Sequence, residues 1–135
     1  MVVPPDRLDS NATMLLVDDN AAYRDMTEMA LRSAGYSVQT CATPEAALES
    51  VNSNPGVELL ITDVVMATMN GVRLAAEIHR THPHIKVLFC SGYGAAALAR
   101  QGLDLSAGEF LMKPISLASL TAKIEGLLAP PLEQL

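Results

Sequence analysis

Four short apolar runs punctuate the chain, at Met14 to Val17, Leu59 to Thr62, Val87 to Cys90 and Phe110 to Met112. Each is followed by loop-forming residues, the pattern of strands buried in a parallel sheet. Tyr36 to Cys41 alternates instead, as a strand does. Between these runs the apolar period changes to that of helices. Asn20 to Ala34 puts Ala22, Met26, Met29 and Ala30 on one helical face, and Gly35 follows as a stop. Thr43 and Pro44 make an N-cap and first turn for a helix turning Ala47, Leu48 and Val51 inward, ended by Asn54, Pro55 and Gly56. Asn70 caps a helix that buries Leu74, Ala75 and Ile78 and leaves at His82 and Pro83. Ala95 to Arg100 reads as a short helix with a weak apolar face. Ser116 caps the last helix, with Leu117, Leu120, Ile124 and Leu127 on one side. Five βα units with short links predict an α/β domain, a doubly wound five-stranded parallel sheet with helices on both faces. The domain is expected over 13–128, with tails at 1–12 and 129–135.

Composition narrows the class. Half of the 135 residues are hydrophobic and 18% are charged, too apolar a mixture for disorder and enough for one substantial core. The formal charge of −6 carries no basic stripe, which argues against direct nucleic-acid binding and leaves proteins, cations or small phosphoryl donors as partners. Cys41 and Cys90 lack metal-type spacing and read as structural thiols of a reducing compartment. Met1 to Thr13 offers no apolar stretch for a signal peptide, and no segment approaches a membrane span, so no membrane contact and a cytoplasmic location are expected.

The chemistry lies at the ends of the four runs, which finish at Asp18-Asp19, Asp63, Ser91 and Lys113. In open α/β sheets ligands gather beyond the carboxyl ends of the strands, so these residues can meet at one edge. Each alone has an ordinary reading. An aspartate after a strand often caps a helix, a serine beside Gly92 is usually a turn residue, and a lone lysine is usually a solvated charge. Caps, however, do not require a matching lysine. The set points to phosphoryl chemistry. His79, His82 and His84 cluster at a helix exit without a metal-like partner set and read as solvated loop groups.

With these strings in order, LLVDDN, ITDVVMATMNG, SGY and EFLMKP, the chain resembles the receiver domain of a two-component response regulator, over nearly all of Thr13 to Leu128. The wording ITDVVM followed by VLFCSGY is most similar to receivers of hybrid sensor histidine kinases. The resemblance implies a flavodoxin-like (βα)5 fold. It also implies that Asp63 accepts a phosphoryl group from a phosphohistidine of a sensor histidine kinase or histidine phosphotransfer domain. Asp18, Asp19, Asp63 and the peptide carbonyl of Val65 would hold Mg²⁺, which keeps waters to complete its oxygen shell. Lys113 would pair with Asp63 before reaction and with a phosphoryl oxygen afterwards, while Ser91 donates to another. Pro114 resembles the family's cis proline, which would aim Lys113 into the cleft.

Two positions depart from the family pattern. Phe110 stands three before Lys113, where an aromatic commonly changes rotamer when the Ser or Thr hydroxyl moves, and it has no hydroxyl of its own. Ala67 replaces the usual proline after Met66, which should loosen the loop by roughly 0.4–1 kcal/mol of chain entropy. Ala95, Ala96, Ala97 and Ala99 carry little bulk, so that helix reads either as a pliable partner surface or as simple close packing. The expected function is a phosphorylatable switch of a phosphorelay that signals through protein contacts, not a turnover enzyme on outside substrates, and one that assists its own phosphorylation and dephosphorylation. The residues after Leu128 are too few for a DNA-binding output unit, so output is expected through contact with an output protein, through removal of phosphoryl groups, or through domains outside this sequence. Two other classes stay open: a receiver-shaped interaction module that no longer turns over phosphate, and a small metal-dependent phosphatase. The sequence names neither the kinase nor the oligomeric state.

Overall fold

The computed structural model describes residues 13–129; the tail expected at 1–12 and all but Ala129 of the tail expected at 129–135 lie outside the described residues. Strands and helices alternate: β1 (Met14–Val17), α1 (Ala21–Ser33), β2 (Val38–Cys41), α2 (Pro44–Ser53), β3 (Leu59–Asp63), α3 (Gly71–Thr81), β4 (Lys86–Ser91), α4 (Ala95–Arg100), β5 (Glu109–Met112) and α5 (Leu117–Leu128). All strand pairs are parallel, in the order β2-β1-β3-β4-β5. Chain order therefore reverses beside β1, and the crevice outside β1 and β3 is where such sheets bind ligands.

Side chains alternate across the sheet, and two cores result. Leu15, Val17, Leu60, Val87 and Phe89 pack with Ala47, Val51, Leu74, Ala75 and Ile78 of α2 and α3 and with Leu98 of α4. Met14, Leu16, Leu59, Ile61, Leu88 and Cys90 pack with Leu31 of α1 and with Leu120 and Ile124 of α5.

The caps follow the sequence closely. Asn20, Thr43, Asn70 and Ser116 accept the N–H of Tyr23, Ala46, Arg73 and Ser119 respectively, satisfying donors that a helix start leaves open. Gly35 takes φ +93° after α1, where it donates to the Arg32 carbonyl while Tyr36 reaches back to that of Leu31. The α4 range Ala95–Arg100 matches the expected short helix, which starts at Gly94 with no side-chain cap.

Three expectations are corrected. On α1 the residues Ala22, Met26 and Met29 face outward, with Met29 72% exposed, while Leu31 is buried and Tyr23, Thr27 and Ala30 are half-buried. The i, i+4, i+7, i+8 row that packs is thus set by an aromatic and a threonine, and the methionines lie off it. β5 is not buried like the other apolar runs, because it is the sheet's edge, and Met112 is 55% exposed. Leu117 of α5 is also exposed, at the first turn, ahead of the buried Leu120 and Ile124.

Candidate functional site

Sheet register brings the four strand ends together. Val17 of β1 is level with Thr62 of β3, so Asp18 and Asp63 follow at the same height. Asp63 is level with Cys90, and Ser91 with Met112, so Ser91 and Lys113 stand one step further along. The ladder continues past the strands: Asp18 donates its N–H to the Cys41 carbonyl, Val64 to Cys90 and Lys113 to Ser91 at 2.7 Å. Asp18, Asp63 and Lys113 continue the rows of Leu16, Ile61 and Leu111, which face the α1/α5 layer, whereas Ser91 continues that of Phe89 on the other side.

One carboxylate oxygen each from Asp18, Asp19 and Asp63 lies within 4.8 Å of the others. Each group is already oriented. Asp18 Oδ1 accepts the Asn20 N–H at 2.9 Å, and its Oδ2 takes the Lys113 ammonium at 2.9 Å. Asp19 Oδ2 accepts the Ala67 N–H at 3.3 Å. Asp63 Oδ2 is 3.7 Å from Lys113 Nζ. The lysine thus reaches Asp63 as expected but is bonded more closely to Asp18.

Burial pushes the Asp63 carboxyl above its ordinary value; Lys113 and the Val64 N–H pull it down, and the neighbouring Asp18 and Asp19 push it further up. For Lys113, burial works against the ammonium, but the Asp18 hydrogen bond and the charge of Asp63 outweigh it and the net shift is upward. Level with Asp63 on the neighbouring strand, Cys90 is pushed up to about 12, chiefly by burial. It is a neutral packing group here, as expected of a structural thiol.

Around this centre the remaining residues take their places. Ser91 is buried and its Oγ accepts the Tyr93 N–H at 3.0 Å. Val65 lies in the β3–α3 loop with its side chain half in solvent. Phe110 is half-buried against the core that holds Phe89, its neighbour across β4 and β5. The Lys113–Pro114 bond is cis. The small side chains of α4 leave an open groove of about 510 Å³ between that helix and the β3–α3 loop, lined in part by Val65, Met66, Tyr93, Ala97 and Leu98. The three histidines lie at the opposite end, where His79 Nε2 is 2.7 Å from the Ile85 carbonyl.

Several supporting residues were not singled out from sequence. Gly71 opens α3 where a Cβ would stand 2.2 Å from the Asp63 carbonyl oxygen, a contact with backbone that only glycine avoids. Its signal was present, as the last letter of ITDVVMATMNG. Arg24 donates to the Asp18 carbonyl at 2.8 Å, and Tyr23 lies beside Lys113. Neither has a local signal, because their partners are set by how α1 crosses the sheet edge.

The family model for the response regulator receiver domain matches residues 14–125, and the chain belongs to that family. It is 42% identical, over 90% of its own residues, to the sensor kinase CckA of Brucella abortus (strain 2308), and spans 13% of that protein's length. Among solved structures, the receiver domain of the hybrid histidine kinase CckA superposes with a TM-score of 0.72 at 30% identity, covering 85% of this chain and 97% of that one. Response regulator protein TrrA from Thermotoga maritima, in complex with Mg(2+)-BeF, gives a TM-score of 0.76 at 26% identity, covering 85% and 97%. The resemblance to hybrid-kinase receivers and the (βα)5 fold are thereby borne out. Receiver domains are phosphoaccepting signalling modules, not turnover enzymes; they bind Mg²⁺ at an acidic pocket and interact with histidine kinases or phosphotransfer proteins. No helix among the described residues is long and apolar enough to cross a membrane.

Proposed function

We propose that Asp63 is the phosphoacceptor of this receiver, within a domain spanning Thr13 to Leu128, and that it takes its phosphoryl group from a kinase or phosphotransfer histidine in the cytoplasm. The observation that carries this reading is the pairing of three converging carboxylates with one ammonium within reach of two of them. Three ionised carboxylates against one lysine leave two negative charges, the complement of a divalent cation. All the side-chain donors are hard oxygens, as Mg²⁺ requires. Asp18, Asp19 and Asp63 would hold the ion, with the Val65 carbonyl as a further ligand. When bound it neutralises the anionic acceptor and donor so that they can approach.

The chain's own residues do the rest. An Asp63 oxygen forms the new bond to phosphorus as the bond from phosphorus to the histidine nitrogen breaks. Lys113 leaves Asp18 to meet the charge that arrives on the phosphoryl oxygens, and the Ser91 hydroxyl turns from the Tyr93 N–H to donate to one of them. Phosphorylation thereby favours one arrangement of the β4–α4 loop. The same groups assist hydrolysis of the acyl phosphate by water. Phe110, lacking a hydroxyl, would report the change by burial and shape, through contact with an output protein.

Incubation with acetyl phosphate and Mg²⁺ followed by intact mass measurement tests this reading. One added phosphoryl group is expected, absent with a chelator and absent in Asp63→Asn. No uptake at all would favour an interaction module, and rapid phosphate release from unrelated phosphomonoesters would favour a phosphatase.

A further inference from the structure

Tyr23 touches the lysine segment at two places, and no other side chain of α1 does so among the contacts described. Lys113 Nζ lies over the Tyr23 ring, 4.1 Å from its centroid. The Tyr23 hydroxyl accepts the N–H of Ile115, two residues past that lysine, at 3.1 Å. Tyr23 is itself fixed from both sides: its N–H is held by the Asn20 cap at 3.0 Å and its carbonyl accepts the Thr27 hydroxyl at 2.8 Å. The backbone that carries the ring is therefore held in the first turn of α1, just after Asp18 and Asp19, and the hydroxyl bond to Ile115 anchors the far end of the ring.

Lysine is a compact charge on a flexible stem and does not position itself. Here the Lys113 ammonium meets the Asp18 carboxylate on one side and the face of an aromatic ring on another, with Asp63 within 4 Å. A ring face attracts a cation without offering a hydrogen-bond acceptor that would trap it. The ammonium can leave Asp18 for a phosphoryl oxygen while staying against the ring. We propose that Tyr23 is a positioning residue for Lys113: its ring walls the ammonium toward Asp18 and Asp63, and its hydroxyl ties the loop that carries the lysine to α1. This inference rests on the reading of Asp63 as phosphoacceptor.

The test compares Tyr23→Leu, which removes ring and hydroxyl, with Tyr23→Phe, which keeps the ring. In wild-type protein the ring current should move the Lys113 ε-methylene resonances upfield; Tyr23→Phe should keep that shift and Tyr23→Leu lose it. Phosphorylation by acetyl phosphate at saturating Mg²⁺ should slow about three- to tenfold in Tyr23→Leu, the scale of one cation–π contact, and recover to within about twofold in Tyr23→Phe. The Ile115 amide should exchange faster in both variants. Rescue by phenylalanine separates a ring that positions the ammonium from general damage to α1, and a thermal melt of each variant checks folding. Wild-type rates in a folded Tyr23→Leu, or loss of rate in Tyr23→Phe equal to that in Tyr23→Leu, would overturn the proposal for the ring. A wild-type protein that takes up no phosphoryl group would instead overturn the phosphoacceptor reading and the role of Tyr23 with it.

Discussion

Lys113 and Asp18, 95 positions apart in sequence, are joined by an ion pair of 2.9 Å that is mostly withdrawn from solvent. The lysine lies farther from Asp63, at 3.7 Å, so its nearest partner is Asp18 and not the proposed phosphoacceptor. Removing it leaves crowded carboxylates uncompensated. Lys113→Ala should destabilise the metal-free protein by about 3 kcal/mol, the lower end of the range for breaking a buried pair. The loss should shrink as pH falls and the Asp63 carboxyl, held above its ordinary value, takes up its proton. Mg²⁺ should bind the variant more tightly than wild type, because a competing cation is gone; urea titrations and calorimetry measure both.

The Asp63 carboxyl, pushed up by burial and by its acidic neighbours, gives a signed pH dependence. The folded protein holds this proton to higher pH than the unfolded chain, so its contribution favours folding at low pH and is lost as pH rises through the folded value. At neutral pH without metal, Asp63→Asn should therefore be more stable than wild type, by on the order of 1 kcal/mol, the size of a typical single-site change. A thermal melt with a chelator present reads this directly.

Adding Mg²⁺ should reverse that ranking. Wild type gains stability by mass action, about 2.7 kcal/mol at a hundredfold excess over the dissociation constant. Asp63→Asn, with one of the three carboxylates removed, should gain much less at the same concentration. Equal gains in the two proteins would show that the ion binds elsewhere.

Gly71 is a steric requirement of the backbone at Asp63. Its Cβ position lies 2.2 Å from the Asp63 carbonyl oxygen and 3.1 Å from Val64 Cα, all backbone. Gly71→Ala should cost about 1–3 kcal/mol, as overpacking does, and should slow phosphorylation because Asp63 must move. Gly126, where a Cβ would meet nothing within 4 Å, is the control: Gly126→Ala should leave phosphorylation unchanged.

What the sequence reveals of this protein depends on where each contact comes from. The four strand ends could be read because apolar runs end abruptly at polar residues, and a parallel sheet sends such ends to one edge. The caps at Asn20, Thr43, Asn70 and Ser116 could be read because their partners are three residues away. The face of α1 could not. Its methionines are more apolar than Tyr23 and Thr27, but packing follows the row that meets the sheet edge. The closer pairing of Lys113 with Asp18 was also hidden, since side-chain reach at a strand end is set by three-dimensional spacing.

Ala67 shows a local rule meeting a distant partner. Its chain entropy argues for a looser loop, yet its N–H donates to Asp19, 48 residues earlier, a bond that a proline at this position has no hydrogen to make. The two effects oppose each other, at roughly 0.4–1 kcal/mol for the entropy and about 0.5–1.5 kcal/mol for the hydrogen bond. Ala67→Pro should accordingly change overall stability by less than about 1 kcal/mol while freeing the Asp19 carboxylate, which a changed Mg²⁺ affinity would report.

Chemical trapping locates the phosphorylated residue directly. The protein is phosphorylated with acetyl phosphate and Mg²⁺, the acyl phosphate is reduced with borohydride, and peptides are sequenced by tandem mass spectrometry. Homoserine is expected at position 63, with aspartate unchanged at 18 and 19. Homoserine at Asp18 or Asp19 with Asp63 intact, or a stable phosphate ester on Ser91 in its place, would contradict it.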